Sequence, residues 1–236
     1  PAGAFLMGTP EGDLSDLARR YGGTRESYRE ESPQHRVQLP AYAIAATPVT
    51  NALYAAFASA RGERPPGGPA DYPVVDVSWH DATAFCAWVS GGDTPRRPPF
   101  RLPTEAEWER AARGEDGRVF PWGDGFAPDL ANTREGERAG RSPVGSYPEG
   151  ASPCGALDMA GNVWEWTASL DTPYPYAPAN TREGQQADGR RILRGGCYAN
   201  PQGFARCACR FRLAPQVRNS FIGFRLAYSL RQDFRL

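Results

Sequence analysis

The segment from Arg194 to Tyr228 reads RGGCYANPQGFARCACRFRLAPQVRNSFIGFRLAY, and its two ends differ in character from its middle. Arg194-Gly195-Gly196 and Ile222-Gly223-Phe224-Arg225-Leu226-Ala227 combine apolar alternation with glycines where backbones approach closely, which predicts rigid strand framework. Between them, arginines recur at 206, 210, 212 and 218 among residues of unrelated chemistry, including Gly203, Phe204, Cys209, Phe211, Leu213, Val217 and Phe221. A regular scaffold carrying arbitrary insertions is the pattern of a surface built to vary.

Working outward, three further blocks stand in order upstream: Phe100-Arg101-Leu102-Pro103-Thr104-Glu105-Ala106-Glu107-Trp108-Glu109, Phe120-Pro121-Trp122-Gly123-Asp124, and Asp158-Met159-Ala160-Gly161-Asn162-Val163-Trp164-Glu165-Trp166. With the C-terminal segment they resemble the formylglycine-generating enzyme (sulfatase-modifying factor) family, from about Gly3 to Ala227. The resemblance implies an α+β, C-type-lectin-like fold with few helices, short twisted antiparallel strands and much ordered loop. It also extends to the variable proteins of diversity-generating retroelements, whose C-terminal stretch this one is similar to. Such a fold carries both enzymes and binding proteins, so function has to be argued from the site.

Interleaved blocks predict one domain over residues 1–236, with a variable region at about 197–228. The 27 basic and 27 acidic residues balance, which argues against a nucleic-acid or membrane-surface footprint. Every basic residue other than histidine is Arg; with 23 prolines this fits a thermophile, and codon bias in a GC-rich genome explains it equally well. No apolar run is long enough to span a membrane and no signal peptide precedes Pro1, so no membrane insertion is expected. The pattern begins without an initiator Met, from which an upstream domain or export signal is expected, and the compartment stays open. Five cysteines (86, 154, 197, 207, 209) without a CxxC pair predict no disulfide framework.

Along the chain, Phe5–Gly8, Arg36–Leu39 and Tyr42–Ala45 read as strands, and the polar stretch Thr9–Gln34 as a mobile loop. Thr50 caps a helix presenting Leu53, Tyr54, Phe57 and Ala60 on its buried face. Val74–Val77 reads as a strand feeding a helix over Trp79–Val89, with Trp79, Phe85 and Trp88 in the core. His35 and His80 form no ligand pair. Thr104 and Glu107 form a capping box for a third helix that turns Trp108 and Ala112 inward and Arg110 and Arg113 to solvent. Glu105, Glu107 and Glu109 read as dipole-favoured N-terminal residues rather than a paired-carboxylate site. Polar excursions follow over Gly114–Gly155 and Ser169–Asp188, the second ending in a strand at Arg190–Leu193.

Asp158, Gly161, Val163 and Glu165 alternate so that two carboxylates and two carbonyls could face one hard cation, and they match a calcium site of the family position by position. A structural Ca2+ and a purely structural turn, with Trp164 and Trp166 in the core, both stand as readings. The family's aerobic oxidation of a substrate cysteine uses a cysteine pair, four residues apart, that holds copper(I). Here the corresponding segment runs from Cys197 to Ala205 without that pair, so no catalytic residue and no copper are expected and the chain is read as not an enzyme; a formylglycine-generating oxidoreductase is the alternative. Cys207 and Cys209 would face one side of a strand.

In the retroelement systems, adenines of a template are mutated during copying, and Asn AAC codons are the usual targets. First- and second-base changes of AAC never give a stop, Trp, Met, Lys, Glu or Gln. Tyr198, Ala199, Gly203, Phe204, Cys209, Phe211, Leu213, Ala214, Val217, Asn219, Ser220 and Phe221 all belong to the accessible set, while Gln202 and Gln216 fall in framework triplets around Pro201 and Pro215. These twelve are the expected ligand-binding residues, with Tyr198, Phe204, Phe211 and Phe221 as aromatic anchors and a protein as the expected ligand. The intervening arginines are expected beneath the surface, paired with acidic residues or carbonyls.

Overall fold

The computed structural model describes residues 1–91, 99–177, 181–184 and 187–230. Its elements, in order, are β1 (Gly3–Met7), α1 (Leu14–Tyr21), β2 (His35–Leu39), β3 (Tyr42–Ile44), α2 (Asn51–Ala60), α3 (Trp79–Val89), α4 (Glu105–Arg113), β4 (Trp164–Leu170), β5 (Arg191–Arg194), β6 (Phe211–Leu213), β7 (Ile222–Phe224) and β8 (Ala227–Ser229). Three small sheets result: β1 with β2, β3 with β8, and a four-stranded sheet in the order β6-β5-β4-β7. Most pairings are antiparallel, as expected, but β4 and β7 run parallel, with Trp164 opposite Ile222 and Trp166 opposite Phe224. This is the short-stranded, loop-rich α+β architecture anticipated for the C-type-lectin-like fold.

The main core lies between that sheet and helices α2 and α3, where Tyr54, Phe57, Trp79, Phe85, Trp164, Trp166, Leu193, Ile222 and Phe224 pack together. Burying indole rings requires partners for their N–H groups, and each has one: Trp79 donates to Thr167 O at 2.9 Å, Trp166 to Val77 O at 2.9 Å and Trp108 to Glu165 Oε2 at 2.8 Å. Helix starts follow the sequence signals. The Thr104 hydroxyl accepts from Glu107 N at 3.1 Å while Glu107 Oε2 accepts from Thr104 N at 2.8 Å, and Ser78 and Asp81 form a second capping box on α3.

Several expectations are corrected. The stretch Thr9–Gln34 is not a structureless loop: Leu14, Leu17 and Tyr28 bury together, and α1 is amphipathic at helical spacing. Val74–Val77 forms no strand; it is irregular, with Asp76 at φ +58°, and is tied by Val74 N to Val49 O and by Asp76 N to Asn219 O. Leu53 (57% exposed) and Ala60 face outward because α2 buries Asn51, Tyr54, Phe57 and Ala58 instead, and Trp88 is exposed because α3 buries Trp79, Ala82, Phe85 and Cys86. Arg110 and Arg113 are buried, Arg113 donating to Glu109 Oε1 at 2.7 Å and to Gly8 O at 2.8 Å. Cys207 and Cys209 do not share a strand face; they lie in a turn and enter separate apolar clusters. Residues 231–236 of the expected domain lie outside the described residues, as do parts of the Ser169–Asp188 excursion.

Candidate functional site: a half-exposed aromatic surface on an arginine framework

The chain leaves β5 through Gly195 and Gly196 and turns beneath the short helical turn Gln202–Phe204. Gly196 has φ +72°, and a Cβ there would lie 2.8 Å from Phe204 O, so this corner admits only glycine. The turn lifts Phe204 into solvent at 42% exposure. Phe204 meets the ring of Trp164 edge-on at 6.4 Å, and Phe211 on β6 tilts against the same ring at 5.2 Å. Trp164 is itself buried, its N–H donating to Asn200 Oδ1 at 2.8 Å. Asn200 Oδ1 also accepts from Cys197 N at 3.1 Å, so one side chain fixes both the tryptophan and the start of the 197–221 segment.

Of the twelve expected ligand-binding residues, Tyr198, Ala199, Phe204, Phe211, Leu213, Ala214, Val217, Asn219, Ser220 and Phe221 are exposed or half-buried. Phe211, Leu213 and Phe221 all rest on the core cluster that contains Trp164. Two expectations fail. Cys209 is buried within that core, and Gly203 is buried where a Cβ would stand 2.8 Å from Tyr21 Cβ, so neither position can present a side chain to solvent. Phe211 and Phe221 are half-buried against that core and less exposed than Phe204. Phe204→Ser is expected to change stability by no more than about 0.5 kcal/mol, and Phe211→Ser and Phe221→Ser to cost about 1–3 kcal/mol each. Chemical denaturation of the three single variants checks this gradient; equal losses would place Phe204 in the core.

Of the four intervening arginines, Arg206 and Arg210 lie beneath the surface as expected, whereas Arg212 is half-buried and Arg218 is exposed, where it pairs with Asp81 at 2.8 Å. Arg206 pairs with Glu31 through Nη1 at 2.8 Å and Nη2 at 2.7 Å, reaching back to the turn that follows α1, with Tyr21 and Tyr28 rings against its guanidinium. Arg210 meets Glu105 Oε1 at 2.6 Å, and Arg194 donates to Glu105 Oε1 at 2.8 Å, to Glu109 Oε2 at 2.7 Å and to the carbonyls of Cys207 and Cys209. Arg182 approaches the same Glu105 carboxylate at 3.4 Å. Burial pushes the Glu105 carboxyl up, but the Arg210 and Arg194 guanidiniums outweigh it and hold it below the usual carboxylate range. Glu105 and Glu109 are therefore structural counter-ions rather than helix-dipole ornaments. Sequence reasoning missed them, and missed Glu31 and Asn200, because each partner lies far away in the chain; the available signal was an excess of framework arginines needing acids.

The four residues matched to a calcium site do not offer a free donor set. Glu165 is fully buried, with Oε2 accepting from Arg225 Nε at 2.6 Å and from Trp108 Nε1, and Oε1 accepting from Arg225 Nη2 at 2.7 Å. Asp158, at φ +55°, gives Oδ2 to Gly145 N at 2.7 Å, and burial pushes its carboxyl up. Gly161 and Val163 are buried backbone positions beside them. With Glu165 engaged by a cation of the protein itself, these residues do not fit a calcium ion, and no group of three or more acidic, His or Cys side chains among the described residues is arranged to hold a metal. The cysteines of the segment are no readier for chemistry: burial pushes the thiols of Cys207 and Cys209 up to about 12.

Comparison with known proteins places this geometry. Residues 1–230 match the Sulfatase-modifying factor enzyme 1-like domain. The chain is 35% identical over 254 residues to hercynine oxygenase of Mycolicibacterium thermoresistibile, covering 87% of this chain and 55% of that protein, so it spans about half the length of that relative. It is 31% identical to the formylglycine-generating enzyme of Streptomyces coelicolor over 96% of this chain and 87% of the relative. Among solved structures, Treponema denticola variable protein 1 superimposes with a TM-score of 0.76 at 25% identity, over 97% of this chain and 93% of that one. The expectation of a chain that is not an enzyme is overturned by the first two: extensive identity to enzymes stands against it, and a missing cysteine pair speaks to one chemistry only. No helix among the described residues is long and apolar enough to cross a membrane. By the match over residues 1–230, the chain belongs to the sulfatase-modifying factor enzyme 1-like domain family.

Proposed function

We propose that the segment Tyr198–Phe221 is a recognition surface for a protein ligand, diversified by a retroelement. The observation that carries this reading is the division of labour along the segment: Arg206 and Arg210 are buried in ion pairs, while Phe204 before them and Phe211, Leu213, Val217 and Phe221 after them reach solvent. Half-exposed aromatics on a braced backbone offer large contact area at small entropy cost, as in a paratope. Similarity to a variable protein supports the same reading. The test is genomic. A near-identical non-coding copy of this segment is expected beside a reverse-transcriptase gene, differing only where the copy has adenine, with the codons of Arg194, Gly195, Gly196, Pro201, Arg206, Arg210 and Pro215 unchanged. Flanking DNA without such a copy would remove the reason for calling the segment diversified.

A second reading, oxidation of a protein cysteine, is favoured by the identity to the formylglycine-generating enzyme. It is separated from the first by incubating the chain with a cysteine-containing sulfatase peptide, copper and oxygen. Formylglycine detected by mass spectrometry, and lost in Cys207→Ser or Cys209→Ser, would assign it.

A further inference from the structure

The turn Gln202–Phe204 is too short to hold itself: three residues of 3-10 geometry close only the bonds from Phe204 N to Pro201 O at 2.9 Å and from Ala205 N to Gln202 O at 3.0 Å. The N–H groups at such a start have no partner within the turn, and Pro201, in the capping position, has no side-chain acceptor to offer. The acceptor comes from 67 positions away in the chain. Glu135 Oε1 accepts from Gln202 N at 2.8 Å, a charge-assisted bond, and its Oε2 accepts from Thr133 Oγ1 at 2.8 Å, which fixes the carboxylate. Arg134 N donates to Asn200 O at 3.0 Å, so the main chain of this loop is fastened to the start of the turn as well. The loop is itself anchored. Thr133 is fully buried, Asn132 O accepts from Asn162 N at 2.8 Å, and Asn162 O accepts from Tyr198 N at 3.1 Å.

Gln202 offers Glu135 a backbone N–H, a group that every residue except proline supplies, so the bond is indifferent to the side chains standing at 199, 203 and 204. The Phe204 side chain has little hold of its own: its ring meets Trp164 edge-on at 6.4 Å and is 42% exposed. On the far side of the turn, Arg206 Nε donates to Gly203 O at 2.9 Å, so the turn is gripped at both ends by residues outside the twelve expected to vary. We propose that Glu135 is a positioning residue of the recognition surface, presetting the place and direction of residue 204 whichever side chain stands there. This role rests on the recognition-surface reading for its purpose, while its test reads the turn directly.

Hydrogen exchange on the 15N-labelled full chain, followed by NMR at the Gln202 and Phe204 amides, provides that test. The amides of Trp108, bonded to Thr104 O at 2.9 Å, and of Val74, bonded to Val49 O at 2.8 Å, serve as internal references. Glu135→Ala is expected to speed exchange at Gln202 and Phe204 by about tenfold or more, the scale of one hydrogen bond, and to leave the references unchanged. Glu135→Gln, which keeps an oxygen acceptor at the same reach, is expected to stay within about threefold of the native chain. Phe204→Ser is expected to leave Gln202 protected, and Glu135→Ala combined with Phe204→Ser to lose protection as Glu135→Ala alone does, because the bond is made to the backbone. Unchanged Gln202 exchange in Glu135→Ala would overturn the proposal. So would faster exchange shared by the references, or a variant that fails to fold, since Glu135 would then serve general stability. Phe204→Ser loosening the turn as much as Glu135→Ala would overturn it too, by making the ring the holder of the turn. Flanking DNA without a template copy would remove the diversification and leave the exchange pattern standing, so the two failures are distinguishable.

Discussion

Glu105→Gln is expected to destabilise the protein by about 3–5 kcal/mol, the cost of breaking a buried ion pair from one side. The carboxylate is fully buried and answers three guanidiniums, those of Arg182, Arg194 and Arg210, at 3.4, 2.8 and 2.6 Å. Glutamine keeps the shape but removes the charge, so Arg194 would retain Glu109 as its one carboxylate, beside the carbonyls of Cys207 and Cys209, and Arg210 only the carbonyls of Glu30 and Thr172. The same residue sets a pH dependence. Its folded carboxyl is held below the ordinary 4.5, so its contribution is fully present above the unfolded value and is lost as pH falls through the lower, folded one. Native stability should therefore decline on acidification below about 4.5, and the variant should lack that part of the slope. Urea unfolding followed by tryptophan fluorescence across pH measures both effects. A loss well under about 1 kcal/mol at neutral pH would mean that Glu105 does not act as the counter-ion its distances indicate.

Such a network explains what the sequence could and could not convey. Local signals were legible: the Thr104–Glu107 capping box and the bounds of α3 at Trp79–Val89 follow from neighbours within a few residues. Partners at long range were not. Arg194 meets Glu105 across 89 positions and Arg206 meets Glu31 across 175, and nothing in spacing or periodicity couples such pairs. The same gap made Thr9–Gln34 look unsupported, since its polar composition hides that Glu31 is a buried counter-ion and that Leu14, Leu17 and Tyr28 close a small core. Helix phase was misread where an alanine-rich face had no charge to mark its outside, as on α2, where Leu53 points to solvent. Between Tyr198 and Phe221, the exposed and half-exposed positions were legible by their lack of framework logic. Cys209 and Gly203 share that lack and are nonetheless buried, because burial there is decided by Tyr21 and the main core.

Glu165→Gln discriminates between two roles for one carboxylate. If Glu165 held a calcium ion, chelation would lower the melting temperature of the native chain and the variant would simply lose that sensitivity. The geometry points elsewhere: both oxygens face Arg225, whose side chain is as fully buried as its partner and whose other N–H groups reach the carbonyls of Ala45 and Leu157 at 3.0 and 2.9 Å. Removing the charge leaves a guanidinium in the interior with no counter-ion, and leaves the Trp108 N–H a weaker acceptor. The expected result is a loss of about 3–5 kcal/mol with or without metal, and no change in the native melting curve under excess chelator. The double substitution Glu165→Gln with Arg225→Met separates the contributions, since removing both charges should recover part of the loss through an apolar fill of similar length. A native melting temperature that drops on chelation and returns with calcium would instead show that Glu165 turns from Arg225 to a metal, and would restore the calcium reading of Asp158, Gly161, Val163 and Glu165.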